Sequence, residues 1–165
     1  MTNTTIQTTV PRVLTRRDAR RADFPDPALP TIDVRVDAAD RAGFSLLEYA
    51  VPAGFTPPPT LHRHTQEGAV LYLLEGELHY WFEDGDHRVG PGDVVHLPAG
   101  AWFRWANESD HPARMLAMFS PAGFEEFFVD LVAATTTSGG DRVALGRVIG
   151  QLRAAYGDED HPGQA

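Results

Sequence analysis

A chain of 165 residues with a net charge of −9 is long enough for one packed core and too short for two ordinary domains. The acidic balance argues against a nucleic-acid partner. The absence of both a bilayer-length apolar run and a basic-then-apolar leader predicts a cytoplasmic protein with no membrane role. There is no cysteine, and all 14 basic residues are arginine. Thiolate catalysis, sulfur ligation, disulfides and lysine Schiff bases are therefore excluded.

In chain order, residues 1–30 read as a flexible or partly ordered N-terminal segment. It contains an arginine cluster (Arg12, Arg16, Arg17, Arg20, Arg21), read as a solvated face, and the proline-rich connector Asp23–Pro30. From Thr31 the pattern turns to short strands: Ile32–Val36, Phe44–Val51, Leu61–Thr65, Ala69–Leu74, Glu77–Phe82, His87–Val89, Asp93–Leu97, Ala101–Asn107 and Ala113–Phe119. Regular turn signals separate them, among them Glu75-Gly76, Asp84-Gly85-Asp86 and Gly90-Pro91-Gly92. Many short strands at this spacing predict an all-β sandwich or barrel over residues 31–120. The strand 69–74 is apolar on both faces and calls for cover on both, from the barrel interior on one side and the second sheet, a terminal segment or another subunit on the other. The period then changes, and residues 121–157 read as two helices, Phe124–Ala134 and Val143–Tyr156. Residues 158–165 are expected to be a disordered acidic tail.

The chemistry concentrates between Gly54 and Gly76. A proline-stiffened approach delivers His62 and His64 in alternation, and residues two apart in a strand share a face. Paired imidazoles of this kind are the usual start of a metal site. His96, alone in an apolar strand, reads as a hydrogen-bonded structural residue, and His79, His87, His111 and His161 as exposed turn residues.

The spacing of Gly54, His62, His64 and Gly76, followed by Gly85, Pro91, Gly92-Asp93, Pro98, Gly100 and Asn107, resembles the two motifs of the cupin superfamily. The segment Ser120–Phe128 and the helix ending Ala155-Tyr156-Gly157 resemble the C-terminal extension of small quercetinase-like cupins. The resemblance implies a double-stranded β-helix, or jelly-roll, barrel with a short C-terminal helical extension, and a homodimer. In metal-binding members the motifs supply three histidines and a glutamate. Two of those positions fall on His62 and His64, but the glutamate position falls on Ala69 and the last histidine on Phe103. Half the ligand set is therefore replaced by groups that cannot coordinate. Glu67 has the strand parity to stand in, but reads as a solvated turn carboxylate.

What remains is an aromatic chamber with two imidazoles at one end. Leu71, Leu73, Tyr49, Tyr80, Trp102, Phe103 and Trp105 are the expected pocket residues for a small hydrophobic or aromatic molecule. The leading expectation is a metal-independent enzyme, without a cofactor, in which His62 and His64 perform acid/base chemistry: isomerisation, cyclisation or dehydration. One alternative is a quercetinase-like dioxygenase holding iron, nickel, manganese or zinc through His62, His64 and Glu67. The other is a non-catalytic metabolite-binding protein.

Overall fold

The protein's structure, a computed structural model, describes residues 11–139 and 141–163. The expectations for residues 1–10 and for the last two residues lie outside the described residues. Two antiparallel sheets face each other as a jelly-roll barrel. One has six strands, in the spatial order β1 (Arg20–Ala22), β2 (Thr31–Val36), β3 (Ser45–Val51), β10 (Ala113–Ser120), β5 (Gly68–Glu75) and β8 (Val94–Leu97). The other has five, in the order β11 (Asp158–Asp160), β4 (His62–His64), β9 (Phe103–Ala106), β6 (Leu78–Phe82) and β7 (Gly85–Val89). Two helices, α1 (Glu125–Thr137) and α2 (Arg142–Ala155), follow the barrel.

Strand alternation builds the core. Along β3, β5 and β10 every second side chain is buried, among them Leu47, Tyr49, Leu71, Leu73, Met115 and Ala117. Leu78 and Tyr80 of β6 and Phe103 of β9 meet them from the facing sheet. On the other face of β5, Val70 and Leu74 are half-buried and Tyr72 is exposed, so the predicted second cover is incomplete among the described residues.

Two buried polar side chains fix the connections. Asn107 donates to the carbonyls of Pro52 and His111 at 2.9 and 2.8 Å and accepts from Ser109, which ties the β9–β10 loop to the end of β3. Glu125 accepts from the backbone N–H of Ala38 and of Gly123 at 2.8 and 2.7 Å, which pins the start of α1 to the barrel. Phe124 and Phe127 then bury their rings over the barrel end, each contributing about 2 kcal/mol of apolar burial. α2 buries no residue completely and packs on α1 and β11.

The N-terminal segment, expected to be flexible or partly ordered, contributes a strand, because Arg20–Ala22 pairs with β2 while Arg21 and Asp33 form a bidentate ion pair at 2.6 and 3.1 Å. Two expectations change. The acidic tail is ordered over Asp158–Asp160, where it pairs with His62–His64 and Arg153 neutralises it. His79 is buried instead of exposed. Its ring lies 3.7 Å from that of Trp81, and its two nitrogens sit 2.8 Å from the carboxylates of Glu108 and Asp86.

The turn into β11 depends on Gly157. Its φ of +67° is left-handed, and a Cβ there would run into Thr65 Oγ1 and Gln66. Gly157→Ala should therefore destabilise the fold by about 1–2 kcal/mol and loosen β11, read as a lower denaturant midpoint with faster amide exchange at Arg63 and Glu159.

Candidate functional site

The end of the barrel covered by α1 encloses a chamber of about 120 Å³. Its apolar wall includes Leu71, Phe103, Trp105, Met115, Phe119 and the α1 phenylalanines. Ala69 also lines it, so the two positions that the sequence marks as substituted ligands both face this space. The polar groups are His62 and His64 from β4, Asp158 from β11 and the phenol of Tyr49 from β3.

The imidazoles sit in different surroundings. Their ring centroids are 5.5 Å apart. His62 packs against the Phe103 ring at 4.3 Å. Burial is the main influence on it and lowers its pKa to about 4; nearby Asp158 opposes this, while His64 adds to it. His62 is thus a neutral imidazole near neutral pH. His64 packs on Phe124 at 4.3 Å, and its Nδ1 lies 3.1 Å from a carboxylate oxygen of Glu67. Glu67 is buried, contrary to the solvated carboxylate expected, because the turn after β4 folds it in behind His64.

Asp158 is the group that sequence reasoning missed. Antiparallel pairing places it opposite His64, with Asp160 opposite His62. Arg153, at the end of α2, holds both carboxylates: Nε and Nη2 contact Asp158 at 2.8 and 2.9 Å, and Nη1 and Nη2 contact Asp160 at 2.7 Å each. A signal existed in the spacing of one arginine and two alternating aspartates, but nothing local says that this segment returns to the barrel.

The remaining expected residues divide. Tyr49, Leu71, Phe103 and Trp105 line the chamber, while Leu73, Tyr80 and Trp102 lie off its wall. Leu73 and Tyr80 belong to the packed core, with the Tyr80 hydroxyl 3.8 Å from Met115 Sδ. Trp102 lies between Arg63 and His161. His96 is exposed, because its strand parity turns it out of the barrel.

Among the described residues, His62, His64 and Asp158 offer three donor atoms within 4.8 Å of one another. That number suits a catalytic metal, but the surroundings do not. Arg153 occupies both Asp158 oxygens and sets a guanidinium beside the place a cation would take. Phe103 walls off His62, and Glu67 approaches only the back of His64. These residues do not fit a resident metal ion.

Residues 47–119 match the Cupin domain family. These residues form a cupin domain. The chain is 31% identical over 67 residues to quercetin 2,3-dioxygenase of Bacillus subtilis, a match spanning 41% of the chain and only 20% of that relative. Its fold is similar to that of the polyketide cyclase RemF from Streptomyces resistomycificus, with a TM-score of 0.53, 27% identity and coverage of 68% of this chain and 80% of that one. The nucleoside dehydratase Pac13 shares the fold at a TM-score of 0.53 and 14% identity, over 71% of this chain and 88% of that one. The family hosts small-molecule chemistries of several kinds. No helix among the described residues is long and apolar enough to cross a membrane.

The surroundings of His62 predict a pH dependence. Its folded-state pKa of about 4 lies below the ordinary 6.5, so only the unfolded chain takes up this proton between those values. The contribution to stability is complete above pH 6.5 and is lost as pH falls toward 4, by up to about 3 kcal/mol. NMR titration should place the His62 midpoint near 4, and His62→Gln should flatten the fall in denaturant midpoint across this window.

Proposed function

We propose that this cupin is a metal-independent enzyme performing acid/base chemistry, such as isomerisation, cyclisation or dehydration, on a hydrophobic or aromatic metabolite. The observation that carries this reading is the pairing of a neutral His62 with His64 and Asp158 at the polar end of an otherwise aromatic chamber. Neutral His62 is ready to accept a proton from a bound molecule. Asp158 steadies the imidazolium that results, and Arg153 fixes the carboxylate. His64, with a Glu67 carboxylate oxygen 3.1 Å behind its Nδ1, serves as the second proton carrier. The aromatic wall excludes water and aligns a flat ligand. Similarity to a polyketide cyclase, at 27% identity, supports chemistry of this class. The quercetin 2,3-dioxygenase similarity, which spans one fifth of that enzyme, supports the metal-dependent alternative, and the donor set weakens it.

We also propose a homodimer formed through the outer face of the six-stranded sheet. There Leu46, Met118 and Val70 align across β3, β10 and β5, and Leu116, Tyr72 and Val94 align across β10, β5 and β8. Tyr72 is 42% exposed and Val94 59%. Arg114, paired with Glu48 and Glu75, forms a polar margin beside this strip. A two-fold axis would lay the strip on its own copy and supply the cover that β5 lacks.

Elemental analysis of dialysed protein should find less than stoichiometric transition metal, and tightly held metal would overturn the acid/base reading. The double change Ala69→Glu with Phe103→His should raise divalent-ion affinity by orders of magnitude; no gain would refute the alignment of those positions with ligand sites. Sedimentation equilibrium should give a dimer that Tyr72→Glu with Leu116→Arg converts to monomer, whereas a monomeric wild type would dismiss this interface.

A further inference from the structure

The chamber has a second polar pole in its opposite sheet. Tyr49 rises from β3, and its ring is clamped edge-on between Trp105, at 6.4 Å and 87°, and Phe128, at 5.7 Å and 90°. Its direction is therefore set by packing. Its hydroxyl has no hydrogen-bond partner among the described residues, whereas the Tyr80 hydroxyl rests against Met115. Among the described residues, the buried side-chain atoms left without a hydrogen bond belong to Arg20, Arg35, Ser45 and Glu67, and the Tyr49 hydroxyl is not one of them. Tyr49 is 4% exposed and is one of the residues that line the chamber.

Buried hydroxyls nearly always have partners, and phenylalanine would complete the same aromatic wall without leaving a donor. We propose that Tyr49 donates to an oxygen of the bound molecule, and that the chamber takes an aromatic ketone or related conjugated carbonyl compound. Its oxygen would lie on Tyr49 and its acidic carbon would face His62. This inference rests on the acid/base reading above and names the substrate class for it. Burial moves the Tyr49 pKa well above its ordinary value, which keeps the phenol a donor. A chamber of about 120 Å³ is on the scale of an apolar cavity that admits one benzene ring.

The chemistry balances without an oxidant. His62 removes a proton from the carbon beside the carbonyl. The electron pair of that C–H bond becomes a C=C bond, and the carbonyl π pair moves onto oxygen. Tyr49 stabilises this enolate oxygen as a preorganised donor. Return of the proton from His62 to carbon or oxygen completes the exchange and restores the neutral imidazole.

An isosteric pair of probes tests the donor. Acetophenone and α-methylstyrene differ by C=O against C=CH₂, and their binding is measured by calorimetry to wild type and Tyr49→Phe. Wild type should prefer acetophenone by roughly three- to ten-fold, and Tyr49→Phe should erase the preference while leaving α-methylstyrene affinity unchanged. Equal affinities in wild type, a preference that survives in Tyr49→Phe, or failure of either probe to bind would overturn the assignment. The acid/base reading is tested separately by NMR in D₂O. Wild type should speed deuterium exchange at the acetophenone methyl group, and His62→Gln should remove that acceleration. A Tyr49-dependent preference without exchange would retain Tyr49 as the recognition donor and discard the acid/base chemistry.

Discussion

Arg153 organises the open end of this barrel. One guanidinium at the last turn of α2 grips Asp158 and Asp160 together. Planar, multiply bonded pairing of this kind fixes direction as well as distance. It holds three residues of β11 against β4 and joins α2, which has no fully buried residue of its own, to the barrel. Without that grip, two carboxylates beside a half-buried imidazole pair would repel each other and favour solvent. With it, one carboxylate can face the imidazoles. The same fork bonds both Asp158 oxygens and sets a positive charge beside the three-donor cluster.

Apolar packing supplies the rest of the chamber's character. Phe103 packs its ring on His62 at 4.3 Å and adds to the burial that desolvates that imidazole. A charged imidazolium is disfavoured there, so the neutral form persists near neutral pH. Phe124 covers His64 and is itself stacked on Phe127. The anchoring of α1 by Glu125 thus reaches the site through ring contacts. The aromatic wall of the barrel and the phenylalanines of α1 work together: each replaces solvent with carbon next to the two imidazoles.

Much of the barrel could be read from residue order because its signals are local. Strand alternation, the turn glycines and the change to helical period after Pro121 each depend on neighbours within a few residues. Boundaries moved where pairing sets them: the first-motif strand shortened to His62–His64 and the second to Phe103–Ala106. The acidic tail could not be read the same way. Polar, charged three-residue strands exist only through their partner and have no periodicity to announce them. Glu67 and His79 were misjudged for a related reason, since composition makes a carboxylate or imidazole near a turn look solvated until other elements pack over it.

The order of residues determined the barrel and the shared inward face of His62 and His64, because strand parity carries a residue's facing from one position to the next. Only the tertiary structure decided that Asp158 joins the imidazoles, that Glu67 backs His64, that Leu73, Tyr80 and Trp102 stand off the chamber, and that Tyr49 lines it. Each of these depends on contacts between segments far apart in the chain, and no local pattern of charge or hydrophobicity encodes which distant surface a side chain will meet.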